Sequence, residues 1–151
     1  MMMQGGDSVL ADSRHNISRS LLMDQHISNP IARHAQNYID TWNEADTTQR
    51  QILMEAAWTP SARYADPLMQ GEGRKQIDGL IAAVHERFPN WRFALIGNPE
   101  QHGDYLRFSW MLGPAGADGP IKGTDFAILE DGRFSHVVGF LDQVPEAALN
   151  T

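Results

Sequence analysis

The 151 residues of this chain suffice for one domain with its own core, and 42% of them are hydrophobic, which excludes the disordered and collagen-like classes. The absence of cysteine excludes a disulfide framework, thiolate metal sites and a cysteine nucleophile. A formal net charge of −7 disfavours nucleic acid and anionic membranes as partners, because their phosphates carry the same sign.

Residues 1–28 are polar and contain only a faint apolar cluster, so we expect a flexible or loosely docked N-terminal extension. The sequence has no run of about 18 apolar residues and no signal-peptide pattern. We therefore expect no membrane partner and a cytoplasmic location. Residues 29–151 are predicted to form a single domain.

Three helices are predicted in the first half of that domain. The first starts at Asn29 and Pro30, a capping residue followed by a proline suited to a first helical turn. Asp46 and Gln49 resemble a capping box for the second, which Pro60 ends. The apolar positions at helical spacing are Ile31, Ala35, Tyr38, Ile39 and Trp42 in the first helix, Ile52, Leu53, Ala56 and Ala57 in the second, and Ile77, Leu80, Ile81, Val84 and Phe88 in the third.

The hydrophobic period changes to two after Pro89, which predicts four antiparallel strands. They cover 91–95, 106–112, 121–129 and 134–141, and Asp131-Gly132 predicts a tight hairpin between the last two. An earlier short strand is expected to end at Asp66, before Pro67. Helices first and strands last indicate an α+β fold with the helices on one face of a bent antiparallel sheet.

Several short motifs accompany this order of elements: Tyr38-Ile39-Asp40, Tyr64-Ala65-Asp66-Pro67, Gly71, Gly123-Thr124-Asp125-Phe126 and Asp131-Gly132-Arg133 with Gly139-Phe140. Order and motifs together resemble the SnoaL-like branch of the nuclear-transport-factor-two-like superfamily, to which ketosteroid isomerase also belongs. The resemblance implies a cone-shaped α+β barrel, with a curved antiparallel sheet wrapped around three N-terminal helices and a ligand cavity at its wide end. It also implies a homodimer formed through the sheet.

Asp66 and Asp125 are the main catalytic candidates, because a carboxylate on an apolar strand is costly to bury without partners. Asp125 alternates in phase with Gly123, Ala127 and Leu129, which places it on either the cavity or the dimer face. The alternatives are a turn-capping role for Asp66 and a structural role for Asp125, satisfied by Arg107, Tyr64 or a histidine.

In ketosteroid isomerase one aspartate is the base, while a tyrosine and a protonated aspartate hold the oxyanion. The resemblance assigns these catalytic roles to Asp66, to Tyr38 on the first helix and to Asp125, respectively. A helix tyrosine at core spacing can instead simply pack, with its hydroxyl tied to a neighbour.

A further set of side chains is predicted to bind a flat hydrophobic substrate, with packing in the core or in a dimer interface as the alternative. His136 shares strand phase with Phe134, Val138 and Phe140. No histidine pair has a metal-ligand spacing and Gly71-Glu72-Gly73 lacks the third glycine of a dinucleotide site, so we expect neither metal nor cofactor. The predicted substrate-binding residues are Tyr64, Trp110, Met69, Phe108, Trp58, His85, His136 and Phe140.

Three functions remain open at this point. The first is an isomerase or cyclase that acts by acid–base chemistry on a small hydrophobic carbonyl compound. The second is a non-catalytic ligand-binding or dimerisation module of the same fold, whose polar groups satisfy one another. The third is a dehydratase or hydrolase, which would need His85 or Arg107 beside Asp125 to activate water.

Overall fold

The computed structural model describes residues 29–149, so the predicted extension 1–28 lies outside the described residues. Its helices are α1 (Pro30–Asn43), α2 (Thr47–Ala57), α3 (Arg74–Arg87) and the short α4 (Glu146–Leu149). The side chain of Asn29 accepts a hydrogen bond from Ile31 N, and that of Asp46 accepts one from Gln49 N. Both predicted N-terminal caps are therefore confirmed.

The buried face of α2 differs from the predicted one. Arg50, Met54 and Ala57 are buried, whereas Ile52 is 56% exposed. Arg50 can be buried because it forms a 2.6 Å ion pair with Asp78 of α3 and donates to the carbonyl of Glu44. The hydrophobic pattern predicted that Ile52 would be on the buried face of α2. Arg50 is buried there instead, because Asp78 of α3 neutralises its charge.

Six strands form one sheet: β1 (Trp58–Ala65), β2 (Gln70–Glu72), β3 (Trp91–His102), β4 (Tyr105–Pro114), β5 (Ile121–Glu130) and β6 (Arg133–Gln143). Their order is β2-β1-β6-β5-β4-β3. The four predicted strands after Pro89 and the α+β class are confirmed. The sheet is curved but not closed, because β2 and β3 are its edges, and β1 runs parallel to β6 while the other pairs are antiparallel.

The hairpin between β5 and β6 is tight, as predicted. Asp131 and Gly132 have φ values of 53° and 79°, and Glu130 pairs with Arg133 across the turn. Two successive residues with positive φ match the twist of the flanking strands. This turn brings β6 back alongside β5 and sets Gly139 opposite Asp125.

The predicted side-chain alternation of β6 is wrong, because a β-bulge lies near the start of this strand. Leu129 pairs with Phe134 but Ile128 pairs with His136, so Ser135 is the extra residue. Phe134 faces the core at 1% exposure, whereas Phe140 is 57% exposed. His136 and Phe140 therefore lie on the outer face of the sheet, opposite to Phe134.

The core fills the space between the helices and the inner face of the sheet. Ile39 of α1, Ile77 of α3, Leu106 of β4 and Val137 of β6 are all at most 2% exposed. No helix within residues 29–149 is both long and apolar enough to cross a membrane.

Candidate functional site

A cavity of about 220 Å³ opens between α1, the end of α3, the inner face of the sheet and α4. One wall is polar and the remainder is largely apolar, as is usual for a small-molecule site. The polar wall consists of Tyr38, Tyr64, Asp66, Trp110 and Asp125.

Asp125 lies in the middle of β5 and is 1% exposed. Its Oδ2 accepts a 2.5 Å hydrogen bond from the hydroxyl of Tyr38, and its Oδ1 accepts a 3.0 Å bond from the indole N–H of Trp110. Burial raises the pKa of Asp125 from 3.8 to about 6, although these two hydrogen bonds act in the opposite direction. The carboxyl group can thus gain or lose its proton near neutral pH.

Two glycines make room for this carboxylate and its indole partner. Gly139 pairs with Asp125, and a Cβ there would lie 2.8 Å from Asp125 Oδ1. Gly123 pairs with Trp110, and a Cβ there would overlap the indole ring. A larger residue at either position would push the polar wall out of place.

Asp66 follows directly after β1, as predicted. Its Oδ1 accepts hydrogen bonds from the backbone N–H groups of Leu68 and Met69, at 2.7 Å and 2.9 Å. Its Oδ2 accepts a 2.6 Å bond from the hydroxyl of Tyr64. Asp66 therefore caps the turn and also presents a carboxylate oxygen to the cavity.

The two tyrosines of the polar wall are buried among aromatic rings. Burial, followed by the nearby charge of Asp125, raises the pKa of both Tyr38 and Tyr64 well above the ordinary value of 10. Tyr38 stacks on Trp58 at 5.5 Å between ring centroids and meets Phe108 edge-on at 4.8 Å. Both hydroxyls thus remain protonated donors.

The structure brings together all three residues predicted to be catalytic: Tyr38, Asp66 and Asp125 line the cavity. Of the predicted substrate-binding residues, Tyr64, Met69 and Trp110 also line it. Trp58 and Phe108 do not, because they pack beneath Tyr38 in the core.

The remaining predicted binding residues lie elsewhere. The Nε2 of His85 is 2.8 Å from the carbonyl oxygen of Trp42, and His136 and Phe140 lie on the outer face of the sheet. Arg107 forms an ion pair with Glu100 and its side chain is 65% exposed. Because neither His85 nor Arg107 contacts Asp125, the water-activating arrangement expected for a dehydratase or hydrolase is not formed by these residues.

Several cavity residues were not predicted. Trp42 lies one helical turn after Tyr38, so helical spacing could have identified it. Ala148 also lines the cavity. Arg87 donates to the carbonyl of Ala148 and so holds α4 over the cavity, a contact for which the sequence carries no local signal.

Within residues 29–149, no group of three histidine, aspartate or glutamate side chains is placed to hold a metal ion. The polar wall consists of two carboxyl groups, two phenols and an indole. Such a set can donate, accept and transfer protons.

Comparison with known proteins places the chain in a family. The SnoaL-like domain matches residues 35–137, which is more than half of the chain. The structure of a proposed isomerase of the SnoaL-like family from Agrobacterium tumefaciens str. C58 is similar, with 44% sequence identity and a TM-score of 0.72. The match covers 76% of this chain and 98% of that one.

Two more distant structures share the fold. One is a proposed ketosteroid isomerase from Kribbella flavida DSM 17836, with 20% identity, a TM-score of 0.58 and coverage of 78% of this chain and 82% of that one. The other is a proposed SnoaL-like polyketide cyclase from Jannaschia sp. CCS1, with 18% identity, a TM-score of 0.56 and coverage of 72% and 85%. No curated protein gives a significant match. The sequence match along residues 35–137 and the shared architecture establish that this chain belongs to the SnoaL-like family.

Proposed function

We propose that the cavity binds a small hydrophobic carbonyl compound and that the protein isomerises or cyclises it by proton transfer. The observation that carries this proposal is the Asp125 carboxyl group, buried in an apolar cavity beside a second carboxylate, with its pKa raised to about 6. A carboxyl group whose pKa is raised in this way can be held protonated in a closed apolar site, where it can donate a hydrogen bond to a developing oxyanion. The cavity of about 220 Å³ is smaller than the roughly 300–1,000 Å³ of sites for drug-sized ligands, which favours a compound of one or two rings.

The hydrogen bonds suggest how the two carboxyl groups divide the work. A carboxylate has about four lone-pair sites, and three of those on Asp66 are taken by Leu68 N, Met69 N and the Tyr64 hydroxyl. The fourth, on Oδ2, is left to accept a proton from the carbon next to the substrate carbonyl. Asp66 is thus held rigidly as the base.

In this mechanism Asp125 stabilises the oxyanion that forms when that carbon loses its proton. A ligand that fills the cavity removes further solvent and favours the protonated form of Asp125. The protonated carboxyl can donate to the substrate oxygen, while Tyr38 remains bonded to Oδ2. The proton on Asp66 then returns to a different carbon, which completes an isomerisation without a cofactor.

A second candidate function is ligand binding without turnover, and the same hydrogen bonds also support it. Tyr38 and Tyr64 already satisfy one oxygen of each aspartate at 2.5 Å and 2.6 Å. Such mutual satisfaction is what a non-catalytic module needs to bury two carboxylates.

Two measurements on the same protein separate these functions. Binding is measured as the thermal shift produced by 2-naphthol, a planar enolate mimic, since a ligand of the folded state raises its apparent stability. Proton transfer is measured as deuterium uptake at the α-carbons of 2-tetralone in D₂O, followed by ¹H NMR. We expect the wild type to bind the naphthol and to accelerate the exchange.

The variants Asp66→Asn, Asp125→Asn and Tyr38→Phe test the residues, and Asp40→Asn is the control because Asp40 is an exposed carboxylate two residues from Tyr38. Loss of the base should slow exchange by about 10²–10⁴-fold, while the control retains it. Binding without exchange would establish the non-catalytic module instead. If 2-naphthol does not bind and exchange is not accelerated, the proposed function is wrong.

A further inference from the structure

Two leucines that line the cavity are also largely exposed to solvent. Leu68, in the turn after β1, is 64% exposed, and Leu149, at the end of α4, is 50% exposed. A side chain that both lines a cavity and meets solvent lies where the cavity opens. These two leucines therefore mark the mouth of the cavity.

Both leucines belong to segments that the protein holds in place. The backbone N–H of Leu68 donates to Oδ1 of Asp66 at 2.7 Å, so the turn that carries the proposed base also fixes Leu68. Arg87 donates to the carbonyl of Ala148, the residue before Leu149. The exposure of the two side chains is thus a feature of anchored backbone.

The position of these leucines distinguishes them from other exposed apolar residues. A lone exposed apolar side chain is ordinary on a protein surface, whereas several around one cavity indicate a binding site. Leu68 and Leu149 come from distant parts of the chain and border the same opening. Within residues 29–149, the other large apolar side chains of comparable exposure do not line this cavity: Ile52, Ile96, Tyr105, Phe126 and Phe140.

The polar groups of the cavity lie at its closed end. Asp125 and Tyr38 are 1% and 3% exposed, so a ligand oxygen bound there is deep inside the protein. The rest of that ligand then points towards the mouth. Further apolar side chains line the cavity besides the leucines of the mouth: Val84, Phe88, Leu112, Ile121, Leu141 and Val144.

We propose that the ligand is elongated, with an oxygen-bearing ring inside the cavity and an apolar tail that leaves through the mouth across Leu68 and Leu149. A ring fills much of a cavity of about 220 Å³, so a longer ligand must extend beyond it. The substrate class is therefore a small cyclic carbonyl compound with an alkyl or similar apolar substituent. The inference rests on the ligand binding of the proposed function but not on its catalysis. Leu68 and Leu149 are then specificity-determining residues.

A series of 4-alkylphenols from methyl to hexyl tests this, because the phenol oxygen is common to all and only the tail grows. Dissociation constants are measured by isothermal titration calorimetry. We expect each methylene beyond ethyl to tighten binding by about two- to fourfold, the range for half to complete burial of one methylene. In the complex with 4-hexylphenol, nuclear Overhauser contacts should join the terminal methyl of the tail to methyls of Leu68 or Leu149.

Leu68→Ser and Leu149→Ser remove the apolar contacts at the mouth. Each should weaken the binding of 4-hexylphenol more than that of 4-methylphenol, so that the preference for the longer compound falls by about threefold or more. Ile52→Ser is the control and should retain the preference, because Ile52 is 56% exposed on α2 and does not line the cavity. If one serine variant fails to fold, the other variant and the wild-type contacts decide.

An affinity that levels off or falls beyond ethyl, or no binding of any phenol, overturns the inference. An unchanged preference in either folded serine variant also overturns it, because the tail then lies elsewhere. An affinity that rises with tail length without exchange of 2-tetralone would leave this inference standing while the catalytic proposal fails. Exchange without a gain from the tail would do the reverse.

Discussion

The hydroxyl of Tyr38 and Oδ2 of Asp125 are 2.5 Å apart, although 87 positions separate the two residues in the sequence. The contact joins α1 to the centre of the sheet. It involves a phenol whose pKa is raised by burial and a carboxyl group whose pKa is raised by the same cause. The protonation of Asp125 therefore depends on Tyr38.

Tyr38→Phe should raise the pKa of Asp125 above about 6. Burial is the main reason for the present elevation, and the Tyr38 hydroxyl opposes it by donating to the charged form. The pKa is measured from the pH dependence of the Asp125 carboxyl ¹³C resonance. Tyr105→Phe is the control, since Tyr105 lies on the outer face of the sheet and is 46% exposed. A fall in the Asp125 pKa in Tyr38→Phe would contradict the assigned hydrogen bond.

Asp125 should also make the free energy of unfolding fall as the pH rises from about 4 to about 6. Its pKa is higher in the folded protein than in the unfolded chain, so between about pH 4 and pH 6 the unfolded chain has released this proton while the folded state still holds it, and a rise in pH favours unfolding. A rise from 3.8 to about 6 corresponds to a loss of about 3 kcal/mol, complete above pH 6.

Asp125→Asn separates this contribution from those of the other carboxylates. Denaturant unfolding of the wild type and the variant at pH 4, 5, 6 and 7 gives the difference between them at each pH. That difference should shift in favour of the variant by about 3 kcal/mol between pH 4 and pH 6 and then stay constant. A difference that does not change with pH would mean that Asp125 titrates normally.

Gly139→Ala should destabilise the protein and weaken binding in the cavity. The added methyl would lie 2.8 Å from Asp125 Oδ1, and neighbouring strands leave little room for it to move. Overpacking of this kind typically costs about 1–3 kcal/mol. The free energy of unfolding and the affinity for 2-naphthol are the measurements.

Gly79→Ala is the matched control, because nothing lies within 4 Å of a Cβ at that position and Gly79 is inside α3. Alanine is the better helix former, so this variant should be more stable by up to about 1 kcal/mol. If Gly139→Ala were as stable as the wild type, the contact between Gly139 and Asp125 would not constrain the site.

The strand alternation of β5 and the turn before Pro67 are local features, which is why the sequence could indicate Asp66 and Asp125. The alternation placed Asp125 in phase with Gly123, Ala127 and Leu129, and this face is indeed buried. Whether it was the cavity face depended on the path of α1 and α4, which no local pattern encodes.

His136 and Phe140 show where such reasoning fails. Their predicted phase assumed an unbroken β6, but the extra residue Ser135 reverses the side on which the following residues lie. Trp58 and Phe108 were predicted to bind substrate but lie in the core, and the reason is a different one. Aromatic residues that line a cavity and those that pack behind its wall have the same hydrophobic pattern, so only the tertiary structure separates them.

The outer face of the sheet is expected to form the homodimer that the family resemblance implies. Phe126 and Phe140 are 39% and 57% exposed there, and Tyr105 stacks on Phe126 with 5.9 Å between ring centroids. Exposed apolar patches of this kind mark association sites. In a two-fold symmetric dimer both subunits contribute this face, so each substitution on it would occur twice in the interface.

Phe140→Lys should therefore convert a dimer into a monomer, because it places two like charges in one desolvated interface. Light scattering after gel filtration measures the mass, with about twice 16.9 kDa expected for the wild type and 16.9 kDa for the variant. Ile52→Lys is the control, as Ile52 is 56% exposed on α2, away from the sheet. A monomeric wild type, or a Phe140→Lys variant that stays dimeric, would show that this face does not mediate association.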